Sequence, residues 1–122
     1  MKTIYTKDAP EPVGPYSQAV ELNNQLFLSG QIGLKNGELQ NQNIETETKQ
    51  VLENLKTILE EAGYQKNDIL KVSIFLTDLN NFKIVNQIYE EFLEGHKPAR
   101  ETVEVSNLPL GAQIEISLIA GK

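Results

Sequence analysis

Two side chains in this 122-residue sequence have the chemistry to act on a small carboxylate, Arg100 and Glu115. Arg100 follows Pro98 and Ala99 where a strand-like stretch begins. Its planar fork matches a carboxylate in two parallel hydrogen bonds. One arginine is no motif, however, and a surface arginine in a solvated loop is the simpler reading of Arg100 alone. Glu115 lies in QIEISLIAG, where Ile114, Ile116, Leu118 and Ala120 alternate with Gln113, Glu115, Ser117 and Ile119. That period of two marks a strand and puts Glu115 on the face opposite the isoleucines Ile114 and Ile116. A carboxylate there is a solvated strand residue, a salt-bridge partner or a general base. Desolvation would raise its pKa and a nearby guanidinium would oppose that.

Three further features bear on chemistry. Tyr16, in GPYSQA, either packs its ring over a strand end or offers its hydroxyl to a ligand. SGQIG, Ser29 to Gly33, has its glycines three apart with no Gly-Lys-Ser/Thr following, so it is not a phosphate loop. Its glycines allow a bulge or a close backbone approach. His96 falls at a helix C-terminus, where an imidazole interacts with the helix dipole. Nothing marks a nucleophile elbow.

Composition narrows the classes. The chain has no cysteine and one histidine. A disulfide scaffold, a thiolate metal site, a cysteine nucleophile and a multi-histidine metal centre are all ruled out. With 11 Lys+Arg against 17 Asp+Glu the net charge is −6 and no basic cluster is present, which argues against nucleic acid as a partner. The N-terminal MKTIYTKDAP lacks the apolar core of a signal peptide. No apolar run approaches the ~20 residues of a membrane helix, so the expected location is the cytoplasm. The length suits one domain, residues 1–122, and 39% hydrophobic residues suffice for a core.

The elements that must position these groups follow from periodicity. Lys2–Thr6 reads as a first strand, and Pro10, Pro12, Gly14 and Pro15 make the next stretch a loop. Ser17–Leu22 and Gln25–Ser29 read as strands joined at Asn23-Asn24. Asn36-Gly37, flanked by Leu34-Lys35 and Glu38-Leu39, is a hairpin signal. Val51, Leu52, Leu55, Ile58, Leu59 and Ala62 form one helical stripe within residues 45–62, closed by Gly63. Leu70–Leu76 is a strand, Asn81–Leu93 a second helix with Val85, Ile88, Tyr89 and Phe92 inward, and Thr102–Val105 a strand. The turn from Ser106 to Ala112 predicts that this strand and the Glu115 strand are antiparallel neighbours. That spacing places Arg100 away from Glu115 within one chain, though both could approach one cleft from different subunits. The order β-β-β-α-β-α-β-β is an α+β fold of about six strands with both helices on one face of a mixed sheet. The uncovered face is expected to show Phe75, Ile119 and either Val103 or Thr102, beside Ser73, Ser117 and Glu115. Bare faces of that kind are rarely left to solvent, which predicts an oligomer with a site at the subunit seam.

Five blocks carry a resemblance: GPYSQA (Gly14–Ala19), SGQIG (Ser29–Gly33), VNQIYEEF (Val85–Phe92), HKPARETVEV (His96–Val105) and IEISLIA (Ile114–Ala120). Together they resemble the signature blocks of the Rid family, also called the YjgF family, with RidA as its imine deaminase branch. The resemblance spans nearly the whole chain. It implies a chorismate mutase-like fold and a homotrimer with sites at subunit interfaces. It implies hydrolysis of 2-imino acids and enamines, such as 2-iminobutanoate and 2-iminopropanoate, to 2-oxo acids and ammonia, with no metal and no cofactor. By position, Arg100 matches the arginine that holds the substrate carboxylate and Glu115 the acid that positions the attacking water. Tyr16 matches the tyrosine lining the pocket, and Asn86 the helix asparagine near it. Ser29 and Gly30 match the backbone bordering the ligand. Thr102 stands where RidA-like members often carry cysteine, and there the backbone is the implied contact. Glu101 stands where serine or threonine is usual, and strand alternation points it to the face opposite Arg100. The family also includes members without the arginine, and names such as translation inhibitor and endoribonuclease have been attached to it. The alternatives are therefore a metabolite-binding regulatory protein without turnover, or an endoribonuclease.

Overall fold

The apolar stripe around Leu55 winds into α1 (Ile44–Glu61), and its buried side includes Val51, Leu52, Leu55, Ile58 and Leu59. Asn43 caps it by accepting a hydrogen bond from the Thr46 N–H, and Gly63, at φ +83°, follows its last turn. The second stripe forms α2 (Phe82–Leu93), with Val85, Ile88, Tyr89 and Leu93 inward. In this computed structural model, which describes residues 1–122, eight strands accompany the helices. They are β1 (Lys2–Ile4), β2 (Ala19–Leu22), β3 (Gln25–Gln31), β4 (Leu34–Lys35), β5 (Glu38–Leu39), β6 (Ile69–Leu76), β7 (Ala99–Glu104) and β8 (Ile114–Gly121). Asn23 and Asn24 both take positive φ in the β2–β3 turn, as do Asn36 and Gly37 in the β4–β5 hairpin. That is the backbone geometry two-residue hairpins prefer.

Six strands form one sheet in the order β1-β2-β3-β8-β6-β7, and β4-β5 stands apart. All pairings in the large sheet are antiparallel except β6 with β7. This corrects the sequence expectation that β7 and β8 are neighbours. β6, α2 and β7 form a parallel crossover unit, so β7 lies beyond β6 and becomes the free edge. The long turn after β7 then spans β6 to reach β8. Strand β7 also begins at Ala99 rather than Thr102, so Arg100 is inside the strand.

A 24-residue apolar cluster joins both helices to alternate strand residues, among them Val72, Ile74, Leu76, Ile114, Ile116, Leu118 and Ala120. Burying each of the valine, leucine and isoleucine side chains is worth about 1.5–3 kcal/mol. Both helices therefore cover one face. The other face carries Phe27, Phe75, Val103 and Ile119 with Ser73, Ser117 and Glu115, and Phe27 and Val103 are 39% and 41% exposed. Of the two residues left open by the sequence, Val103 takes the bare face, whereas Thr102 pairs with Ile74 on the helix side. No helix is long and apolar enough to cross a membrane.

Candidate functional site

The residues singled out by chemistry fall into two groups, one on each face of the sheet. On the bare face, β3 and β8 run in register to Leu28–Leu118, slip, and resume at Gln31–Ile116. Ser29 and Gly30 together therefore oppose Ser117, which is a β-bulge. Gly30 lies directly against Glu115: a Cβ there would fall 2.3 Å from the Glu115 Oε2. The bulge and the missing side chain make the room in which the carboxylate rests. Burial pushes the Glu115 carboxyl above its ordinary pKa, and neither of the chain's two ion pairs involves it. The Ser29 hydroxyl donates to the Ser17 carbonyl at 2.6 Å, so the segment carrying Tyr16 is tied to the bulge. Tyr16 itself is 48% exposed, and its hydroxyl accepts from the Val13 N–H at 3.4 Å.

On the helix face, Arg100 points at α2. Its Nη1 donates to the Asn86 Oδ1 at 2.7 Å. The guanidinium carbon stands 5.0 Å from the centre of the Tyr89 ring and 5.6 Å from that of Phe82. No carboxylate pairs with it, since the ion pairs are Lys66–Glu94 and Lys71–Glu101. A cleft of about 410 Å³ opens beside this group, with Asn86, Tyr89, His96 and Arg100 in its lining and the charged Glu90 and Lys97 at it as well. The Val105 N–H donates to the Leu76 carbonyl. Strand alternation then directs the backbone groups of Ala99, Glu101 and Val103 toward β6 and those of Arg100, Thr102 and Glu104 to the free edge. Arg100 and Glu115 thus share no pocket within one chain. Glu101 lies on the bare face, as alternation requires, hydrogen-bonded to Ser73 and paired with Lys71 at 3.0 Å. Those two contacts hold its carboxyl below the ordinary range, and it does not compete for Arg100.

The sequence profile described as Endoribonuclease L-PSP matches residues 6–122. The chain belongs to the YjgF/RidA family. It is 50% identical over 123 residues to a RutC family protein of Pyrococcus horikoshii, covering 99% of this chain and 98% of that one. It is 42% identical over 121 residues to the mouse 2-iminobutanoate/2-iminopropanoate deaminase, covering 98% and 90% respectively. The structure of E. coli TdcF with bound serine superposes with a TM-score of 0.95 at 38% identity, covering 100% of this chain and 99% of that one.

Several positioning residues of this RidA-family chain escaped the sequence reading. Gln18 is buried and bonds the Thr6 N–H, the Thr6 carbonyl and the Pro10 carbonyl, fixing the proline loop ahead of Tyr16. Glu47, in the first turn of α1, is fully buried. It accepts hydrogen bonds from the backbone N–H of Gln113 at 2.7 Å and its side-chain amide at 3.0 Å, two residues before Glu115. Gly33 lets the chain pass the same helical turn, where a Cβ would lie 3.0 Å from the Glu47 carbonyl. His96 anchors through its ring to the Ile69 carbonyl at 2.7 Å, a tie to β6 in addition to its place after α2. Phe82 and Tyr89 were legible only as helix residues, because nothing in the sequence says which strand α2 faces.

Proposed function

We propose that this protein hydrolyses 2-imino acids and their enamine tautomers to 2-oxo acids and ammonia. The observation that carries this reading is Arg100: a guanidinium held by a neutral amide and an aromatic ring and engaged in no ion pair, beside a cleft that Glu90 also lines, so its charge is open to a ligand carboxylate. The half-buried Glu115, its pKa raised by burial and no cation paired with it, is the base in this reading. The deaminase name of the mouse relative and the amino acid bound in TdcF agree with such a ligand.

In this mechanism Arg100 fixes the carboxylate of a protonated imine and so orients its C=N carbon. Water adds to that carbon while Glu115 takes one water proton, giving a neutral carbinolamine. Glu115 returns the proton to nitrogen, with Tyr16 lining the pocket. The C–N bond then breaks as the hydroxyl oxygen forms the carbonyl, and the departing ammonia carries away the hydroxyl proton as ammonium. Ser29 and Gly30 border the ligand, Thr102 contacts it through its backbone, and Asn86 steadies Arg100.

Because Arg100 and Glu115 lie on opposite faces, the reading requires two copies of the chain at each site. A homotrimer, in which each bare face and each free β7 edge meets a neighbour, meets that requirement. Binding without turnover draws support from the serine in TdcF, which is not an imine. The endoribonuclease label fits poorly with a net charge of −6.

A coupled assay decides. A pyridoxal-phosphate-dependent threonine dehydratase is run with and without this protein, and 2-oxobutanoate release is followed. Faster release that disappears with Glu115→Gln is the expected result. An unchanged release rate overturns the deaminase reading.

A further inference from the structure

Phe82, Asn86 and Tyr89 stand at i, i+4 and i+7 of α2, one stripe of the helix, and all three contact the Arg100 side chain of β7. An arginine tucked under a helix usually meets a carboxylate. Here it meets two aromatic rings and a neutral amide. Rings attract the cation through their quadrupoles without neutralising it. The Tyr89 hydroxyl is buried with no hydrogen-bond partner, so the ring and not the hydroxyl makes the contact.

We propose that the Phe82–Asn86–Tyr89 stripe is a charge-neutral clamp, and that Tyr89 and Phe82 are positioning residues that orient Arg100 while leaving its full charge for a ligand carboxylate. The clamp deepens the reading of Arg100 given above and rests on it for its purpose. An acidic residue in the stripe would hold the guanidinium as well or better, but would compete with the incoming ligand. Neutral partners restrict the rotamers of Arg100 and lower the ordering cost on binding. The only titratable member of the stripe is Tyr89, whose burial raises its pKa against the opposing charge of Arg100. It therefore stays neutral through the physiological range.

Two measurements test this, one of them free of ligand. The side-chain Nε–H resonance of Arg100, assigned by its loss in Arg100→Lys, is expected to be ring-shifted in the wild type. The shift should survive Tyr89→Phe and collapse in Tyr89→Leu and Phe82→Leu. In parallel, calorimetric titration with 2-oxobutanoate should show about 2- to 30-fold weaker binding for the two leucine variants, with Tyr89→Phe near wild type. Asn86→Asp should bind more weakly still while melting no lower than the wild type. Phe82 is partly exposed, so Phe82→Leu keeps the test open if Tyr89→Leu does not fold. An unshifted wild-type resonance, leucine variants that bind as the wild type does, or an unimpaired Asn86→Asp overturns the clamp. A shifted resonance in a protein with no affinity for 2-oxobutanoate overturns instead the carboxylate reading, and with it the purpose of the clamp.

Discussion

Glu115 and Arg100 place opposite demands on their surroundings, and each has surroundings suited to it. Glu115 is desolvated and unpaired, which raises its pKa above the usual carboxylate value. If it is the base, kcat/KM should fall on the acid side as pH drops through that raised value, above the ordinary ~4.3. A rate profile should place this limb there, and Glu115→Gln should lack it. The same substitution should lower turnover by about 100- to 10,000-fold with 2-oxobutanoate binding retained. The sign for stability also follows. A raised carboxyl pKa means that charging Glu115 costs folding stability, fully so above the folded pKa and not at all below ~4.3. Glu115→Gln should therefore raise Tm at pH 7 and leave it unchanged near pH 4. Arg100→Ala should weaken 2-oxobutanoate binding about 10- to 150-fold by removing charge-assisted hydrogen bonds.

At the scale of elements, the β3 bulge governs where the Glu115 carboxylate can rest. Gly30 has no positive φ, so alanine is conformationally allowed there. Its Cβ would displace the Glu115 side chain, a flexible group free to move aside. Gly30→Ala should thus cost turnover sharply while leaving Tm within a few degrees of the wild type, a split that kinetics and thermal melting together reveal. The Asn43 cap is a purely structural counterpart. Asn43→Ala should cost about 1 kcal/mol in denaturant unfolding with kcat/KM unchanged. The bulge signal was present in SGQIG, but the residue it accommodates lies on a strand distant in sequence. Only the pairing of β3 with β8 joins them.

At the scale of the whole molecule, the sheet separates the two groups that the proposed reaction needs together. Copies of the chain must then complement one another. Arg100→Ala and Glu115→Gln, each impaired alone, should regain activity when unfolded together and refolded as a mixture. About a quarter of sites should be intact if a cyclic oligomer draws one residue from each neighbour. No recovery would overturn a site built from Arg100 of one copy and Glu115 of another. Val103→Asp, on the bare face and paired with neither group, should dissociate the proposed oligomer in sedimentation and abolish turnover.

Periodicity alone determined α1, α2, the strands around them and the single covered face, because burying an apolar stripe requires a fixed spacing along the chain. It also placed Glu115, Ser73 and Phe75 together on the bare face, since alternation in a strand leaves no freedom. The neighbour relations were not legible. The turn after β7 suggested a hairpin with β8, whereas the parallel docking of β7 on β6 put β6 between them. That one choice of partner set Arg100 at a free edge beneath α2, facing Phe82 and Tyr89. Which strands pair depends on how all the apolar faces close over one core at once, and this is a property of the assembled chain that no local stretch contains.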